Sequence, residues 1–196
     1  MVLTGCIPQT RHEPPQIVGE RTNLQGRVVQ RIIRETTRIE HTVPLTPEGP
    51  KIRTELRCKF FYQDGDAPRR SFLIGNSATN LFLENCLPVQ NSALWVSFWC
   101  WPTWTNVTDA AGVVVGKGKR DDLHILVFDV AGFMRHRVFT TTSKLGWDED
   151  YEDSAKARDG NRTIVFKSPG GPKQYDVLLD TVTAAKEFDD SQKLAH

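Results

Sequence analysis

The chain has 196 residues, 39% of them hydrophobic and 25% charged, with 25 basic against 24 acidic side chains. That suits one ordinary globular core and argues against bulk nucleic-acid binding. No apolar run of about 18 residues offers a transmembrane helix, and Cys6, Cys58, Cys86 and Cys100 lack paired metal-ligand spacing.

The first six residues, MVLTGC, contain Leu3-Thr4-Gly5-Cys6. This looks like a bacterial lipobox, whose cysteine is cleaved and lipidated. A working export signal also needs a basic segment and an apolar one before the motif. Either the true start lies upstream, or the motif is coincidence and Cys6 is an ordinary thiol. Residues 7–26 are polar and rich in Pro, Gly and Asn, so 1–26 reads as a flexible tether with a lipid on Cys6.

Residues 27–43 carry Arg27, Arg31, Arg34 and Arg38 at helical spacing, yet the run is crowded with β-branched side chains. These favour a strand with the arginines on a solvated face. Residues 44–50 are a loop, and 52–62 alternate apolar and polar as a half-buried strand does. Gly75-Asn76-Ser77 is a helix-start signal, followed by Ala78, Leu81, Phe82 and Cys86 on one face and stopped by Pro88. A helix that short holds only by packing on a sheet.

Residues 94–102 form an aromatic strand, with Trp95, Ser97, Trp99 and Trp101 on one side and Leu94, Val96, Phe98 and Cys100 on the other. Residues 112–116 then lead through a basic turn, Lys117 to Arg120, into a central hairpin over 122–142. Its turn, Asp129-Val130-Ala131-Gly132, suits a type I turn with a left-handed Gly bulge, so that Asp129 pairs with Phe133. Both faces of this hairpin are largely apolar, which calls for a central place in a sheet with cover on each side. Residues 147–153 are an acidic loop, 163–167 and 174–179 a last hairpin, and 181–196 a helical or disordered tail. The expected fold class is α+β, an antiparallel sheet with one or two short helices packed on one face, forming a single domain over 27–180.

Residues 72–98 with 123–141 are similar to the small bacterial outer-membrane lipoproteins of the SmpA/OmlA (BamE-like) family. The matching positions are Gly75, Pro88, Trp95, Phe128, Asp129 and Gly132; Cys86 stands where that family has Gly, and the β-rich stretch before Ile74 has little counterpart. The resemblance implies a non-catalytic periplasmic module, held in the bacterial cell envelope by lipid at Cys6, that binds protein partners through its sheet.

Trp95, Trp99, Trp101 and Trp104 are the candidate partner-binding residues, since an indole stacks while its NH still finds an acceptor; the alternative is that a helix covers them. His124 and His136 fall diagonally on one hairpin face without an evident third ligand, which reads as a structural or solvent-facing pair. Asp148, Asp150 and Glu152 have calcium-loop spacing, but the loop lacks that motif's Gly and final Glu. Cys58, Cys86 and Cys100 read as three buried thiols, with one disulfide among them as the alternative. No catalytic motif, metal or cofactor is expected. The alternative functions are a ligand-binding protein or enzyme with a pocket between sheet and helix, and an immunity or inhibitor protein.

Overall fold

A computed structural model describes residues 8–46, 49–72, 83–141, 155–186 and 188. They fall into two compact units, residues 1–86 with 130–132 and residues 87–129 with 133–196.

The first unit is one antiparallel sheet. Its spine is β3 (Val28–Thr46), which lies beside β4 (Gly49–Asp64) and, on its other edge, takes β1 (Gln9–His12) and β2 (Gln16–Thr22) in succession; β5 (Arg70–Phe72) closes the β4 side. The β-branched content of 27–43 thus outweighs the arginine spacing. In extended chain the arginines split between the two faces, and Arg31 reaches Glu20 while Arg38 reaches Glu13. Residues 9–12 and 16–22, whose composition suggests a tether, are strands paired on β3. What holds them is cross-strand pairing to the arginines, together with Val18, which is buried where β2 bulges. Ile32, Ile33 and Phe60 are buried on the same sheet.

No helix occurs among the described residues, so the α+β expectation gives way to an all-antiparallel β protein. Most of the expected helix, residues 76–82, lies outside the described residues. Its end, 83–86, is irregular backbone with Leu83 and Cys86 buried, and the Cys86 NH donates to the Val18 carbonyl at 2.6 Å. Pro88 then sits in the two-residue edge strand β6 (Leu87–Pro88), where its missing NH costs no ladder bond.

The second unit contains two four-stranded antiparallel meanders. One runs β6, β7 (Trp95–Thr108), β8 (Val114–Phe128) and β9 (Met134–Thr141); the other runs β10 (Ala155–Arg158), β11 (Thr163–Phe166), β12 (Lys173–Asp176) and β13 (Thr181–Ala184). The expected basic turn at 117–120 is continuous strand, because Gly116 and Gly118 stand in register opposite Val107 and Thr105. The expected helical tail begins as a strand, since β-branched Thr181, Val182 and Thr183 pair with β12. The two sheets bury a common core of Val96, Cys100, Leu123, Ile125 and Val127 against Ile164, Phe166, Tyr175 and Val177. Each large side chain there contributes roughly 1.5–3 kcal/mol by leaving water. Phe139 stacks on Phe166 with ring centres 5.0 Å apart. At the rim, the Arg137 Nε donates to Asp180 Oδ1 at 2.9 Å, and the Tyr175 hydroxyl donates to the same oxygen at 2.9 Å. The Arg137 guanidinium holds the Asp180 carboxyl below its usual range, while burial and then Asp180 push the Tyr175 phenol up to about 12.

Three hairpins are closed by one device. Asn23, Asp109 and Asp129 each start a turn whose fourth residue is Gly26 (φ 74°), Gly112 (φ 80°) or Gly132 (φ 112°). In each, the first side chain accepts from the backbone NH four residues on, at 3.0, 2.9 and 2.9 Å. A fourth turn is tighter. Asp159, Gly160 and Asn161 all have positive φ, and a Cβ on Gly160 would lie 2.5 Å from the Gln90 Cβ.

Two outcomes follow for stability and reactivity. In urea unfolding, Gly160→Ala is the most damaging glycine substitution, losing roughly 2–4 kcal/mol through clash and strain. Gly132→Ala loses roughly 1–2 kcal/mol through φ alone, and Gly116→Ala, with nothing within 4 Å of an added Cβ, loses none. The Cys86 thiol, pushed up to about 12 by burial, resists alkylation at pH 8 in the native protein and reacts at the rate of unfolding; prompt labelling of the native chain counts against this burial.

Candidate functional site

The pairing of β7, β8 and β9 sets the candidate site. Trp95 stands opposite Phe128, Ser97 opposite Leu126, Trp99 opposite His124 and Trp101 opposite Asp122, while Met134, His136, Val138 and Thr140 continue the same face on β9. The other face of these strands fills the core described above, so every second residue is committed to packing and the intervening ones are available for contact.

Along β7 burial on this outer face falls from one end to the other. Trp95 and Ser97 are fully buried with Leu126 and Phe128 opposite, Trp99 and His124 are half-buried, and Trp101 is 45% exposed; on β9, Met134 opposite Phe128 and Val138 opposite His124 are exposed at 50% and 49%. Trp95 is therefore a core residue. Trp99 and Trp101 present ring surface, and Trp104 lies further out in the strand, opposite Lys119 in register. Lipidation at Cys6 and the acidic residues at 147–153 lie outside the described residues.

The middle of the face is an aromatic stack. Trp99 lies on His124 with ring centres 5.3 Å apart and planes 13° from parallel, and on His136 at 5.9 Å and 19°. The two imidazoles are 5.2 Å apart and share a hydrogen bond, Nδ1 of His124 to Nε2 of His136, at 3.1 Å. Direct partners across β8 and β9 are His124 with Val138 and Leu126 with His136, so the histidines are diagonal neighbours brought together by strand twist. Burial lowers both histidine pKa values; at His124 the neighbouring His136 lowers it further and Asp122 opposes the change. The Asp122 carboxylate is itself occupied, accepting from Thr103 Oγ1 at 2.9 Å and Thr140 Oγ1 at 3.4 Å. The stack is therefore neutral at pH 7, with one ring donating to the other.

Beyond Trp101, β7 and β8 continue as a pair. β9 flanks β8 only over 121–128. Residues 102–108 and 114–120 form a ribbon with no third strand among the described residues. It ends in Val113, Val114 and Val115, exposed at 59%, 54% and 62%.

Sequence reasoning placed the tryptophans on one face but missed the ribbon, because two glycines and a cluster of lysines disguise its second strand. The signal that finds it is the repeated turn: Asp109-Ala110-Ala111-Gly112 matches Asp129-Val130-Ala131-Gly132 in every position but the second. Among the described residues there is no helix to form a ligand pocket against a sheet. A depression of about 420 Å³ lined by Arg11, Glu13, Pro14, Gln16, Arg38 and Glu40 is charged and open to solvent, unlike an apolar ligand pocket. Among the described residues no group of three or more His, Cys, Asp or Glu side chains converges as a metal centre, and Cys58, Cys86 and Cys100 are free thiols.

Imidazole NMR titration reads the histidines directly, and both midpoints fall below the ordinary value of about 6.5. Because these folded pKa values lie below the unfolded one, the unfolded chain binds more protons in this range. Stability is therefore complete above about pH 6.5 and declines as pH falls through the folded midpoints. A His124→Gln, His136→Gln double variant flattens that segment of the stability curve, and an unchanged slope contradicts the stack.

No protein-family model, curated protein or solved structure matches this chain.

Proposed function

We propose that the protein is a non-catalytic binding module that engages a protein partner through the β7–β8 ribbon and the half-exposed aromatic face at its base. The observation that carries this reading is the ribbon tip, where three successive valines are exposed beyond the last flanking strand. A two-stranded ribbon is marginally stable alone, and apolar side chains held at its end stabilise nothing within it. They gain free energy when a partner covers them. Trp101 and Trp99 supply rigid ring surface next to the ribbon, the kind of anchor on which binding energy concentrates.

Lys117, Lys119 and Arg120 occupy positions along the ribbon, which favours a partner whose apolar cleft has an acidic rim. The lipobox-like Leu3-Thr4-Gly5-Cys6 supports a setting in the bacterial cell envelope, with lipid on Cys6 as the anchor and the partner an envelope protein. The resemblance to the SmpA/OmlA lipoproteins is consistent with that setting.

The test compares wild type with Val114→Lys and Trp101→Ala in affinity capture from envelope extracts, followed by measurement of the purified pair. Both variants keep the wild-type circular dichroism and bind the partner at least tenfold more weakly. Unaltered binding by Val114→Lys removes the ribbon from the interface, and unfolding of Trp101→Ala returns that ring to the core. Intact-mass analysis of the membrane fraction reads the anchor, as a lipid adduct on Cys6.

A further inference from the structure

We propose that His124 and His136 are a two-histidine chelate for a divalent transition-metal ion on the open side of the β8–β9 hairpin. Three structural features lead there. The nitrogens that face one another, Nδ1 of His124 and Nε2 of His136, are 3.1 Å apart. An ion bound to each at the usual zinc–imidazole distance of about 2.0–2.1 Å would subtend roughly 95° between them, an angle suited to six-coordinate, square-planar or flattened tetrahedral ions. The pair also sits where an ion has access, since His136 is exposed and His124 only half-buried. Finally, Trp99 packs flat against both rings and keeps them neighbours, so part of the entropy of bringing two ligands together is already spent.

Binding needs no net proton loss. Each neutral imidazole has one lone pair and one NH. In the apo pair one ring donates to the other, and that donor must pass its proton to its second ring nitrogen through solvent. Both facing nitrogens then present lone pairs, and because the rings meet nearly head-on, each must swing by roughly 40° to turn its lone pair onto an ion about 2.0–2.1 Å away. Asp122, the acidic group acting on His124, is held by Thr103 and Thr140 and supplies charge rather than a ligand. Water completes the coordination. The donor set selects by chemistry: two imidazoles favour Cu²⁺, then Ni²⁺ and Zn²⁺, over the oxygen-seeking Mg²⁺ and Ca²⁺. A site of this kind leaves open positions towards solvent, which an exogenous donor can fill.

Calorimetric titration of the metal-stripped full chain with Cu²⁺, Zn²⁺ and Mg²⁺ at pH 7.5 tests the assignment. One equivalent of Cu²⁺ binds, Zn²⁺ binds more weakly, Mg²⁺ does not bind, and both His136→Gln and His124→Gln weaken Cu²⁺ at least tenfold. Cu²⁺ also quenches a fraction of the tryptophan emission that is lost in Trp99→Phe. His136 lies exposed on an edge strand, so His136→Gln decides the matter even where His124→Gln unfolds. Undiminished Cu²⁺ affinity in His136→Gln places the ion at another histidine or a terminus and overturns the proposal, as does equal uptake of Mg²⁺ or no uptake at all. These readouts are independent of partner capture, because Val114→Lys leaves metal binding unchanged.

Discussion

The constraint on which this structure rests is the carboxylate-capped turn with a glycine at positive φ. At 109–113 and again at 129–133 an aspartate side chain takes the backbone NH of the residue that reopens the strand, and the glycine supplies a backbone conformation closed to other residues at low cost. Each turn thereby sets how β7, β8 and β9 pair. A slip of one residue would exchange the faces, sending Leu123, Ile125 and Val127 outward and the histidines into the core. Register, core and candidate site are consequences of the same two hydrogen-bonded loops.

β8 shows how far that ordering extends. From Asp121 to Phe128 every side chain but one is buried, on both faces of the sheet. The exception is His124, and its exposure places it against Trp99 and His136. A polar ring among the apolar residues 123–128 is tolerated because its neighbours are rings of matching thickness and because its Nδ1 has a partner. The second sheet makes the inner face possible. Arg135 and Arg137, on that face at the edge, do not need burial as bare charges, since Asp180 reaches both.

Much of this was legible in the sequence. Strand alternation located β4, β7, β8 and β9, the Asp129 turn fixed its own register, and Trp95, Trp99 and Trp101 fell on one face as spacing required. Other features were hidden for physical reasons. The lysine and glycine residues at 116–120 have the composition of a loop, and only pairing with β7 makes them strand. Residues 9–12 and 16–22 are too polar to predict as strands, because only Val18 among them is buried and part of what holds the segment is ion pairing of Glu13 and Glu20 to arginines on β3. The expected helix rested on a cap signal and a short apolar stripe, and at Leu83 and Cys86 those apolar residues are buried from irregular backbone instead. The contact between the histidines depends on twist across diagonal positions, which periodicity does not encode.

The ribbon has a consequence for how the chain survives before it meets anything. Three consecutive exposed valines on a two-stranded edge are the composition that templates intermolecular cross-β association. Here they are bracketed by Gly112 and Gly116, with Lys117 and Lys119 following at once. Glycine weakens extension of a foreign strand along the edge, and regularly spaced positive charge repels a second copy of the same ribbon. The tip is thus apolar enough to be adhesive yet interrupted too soon to polymerise, a compromise between reach and solubility written into the eight residues from Gly112 to Lys119.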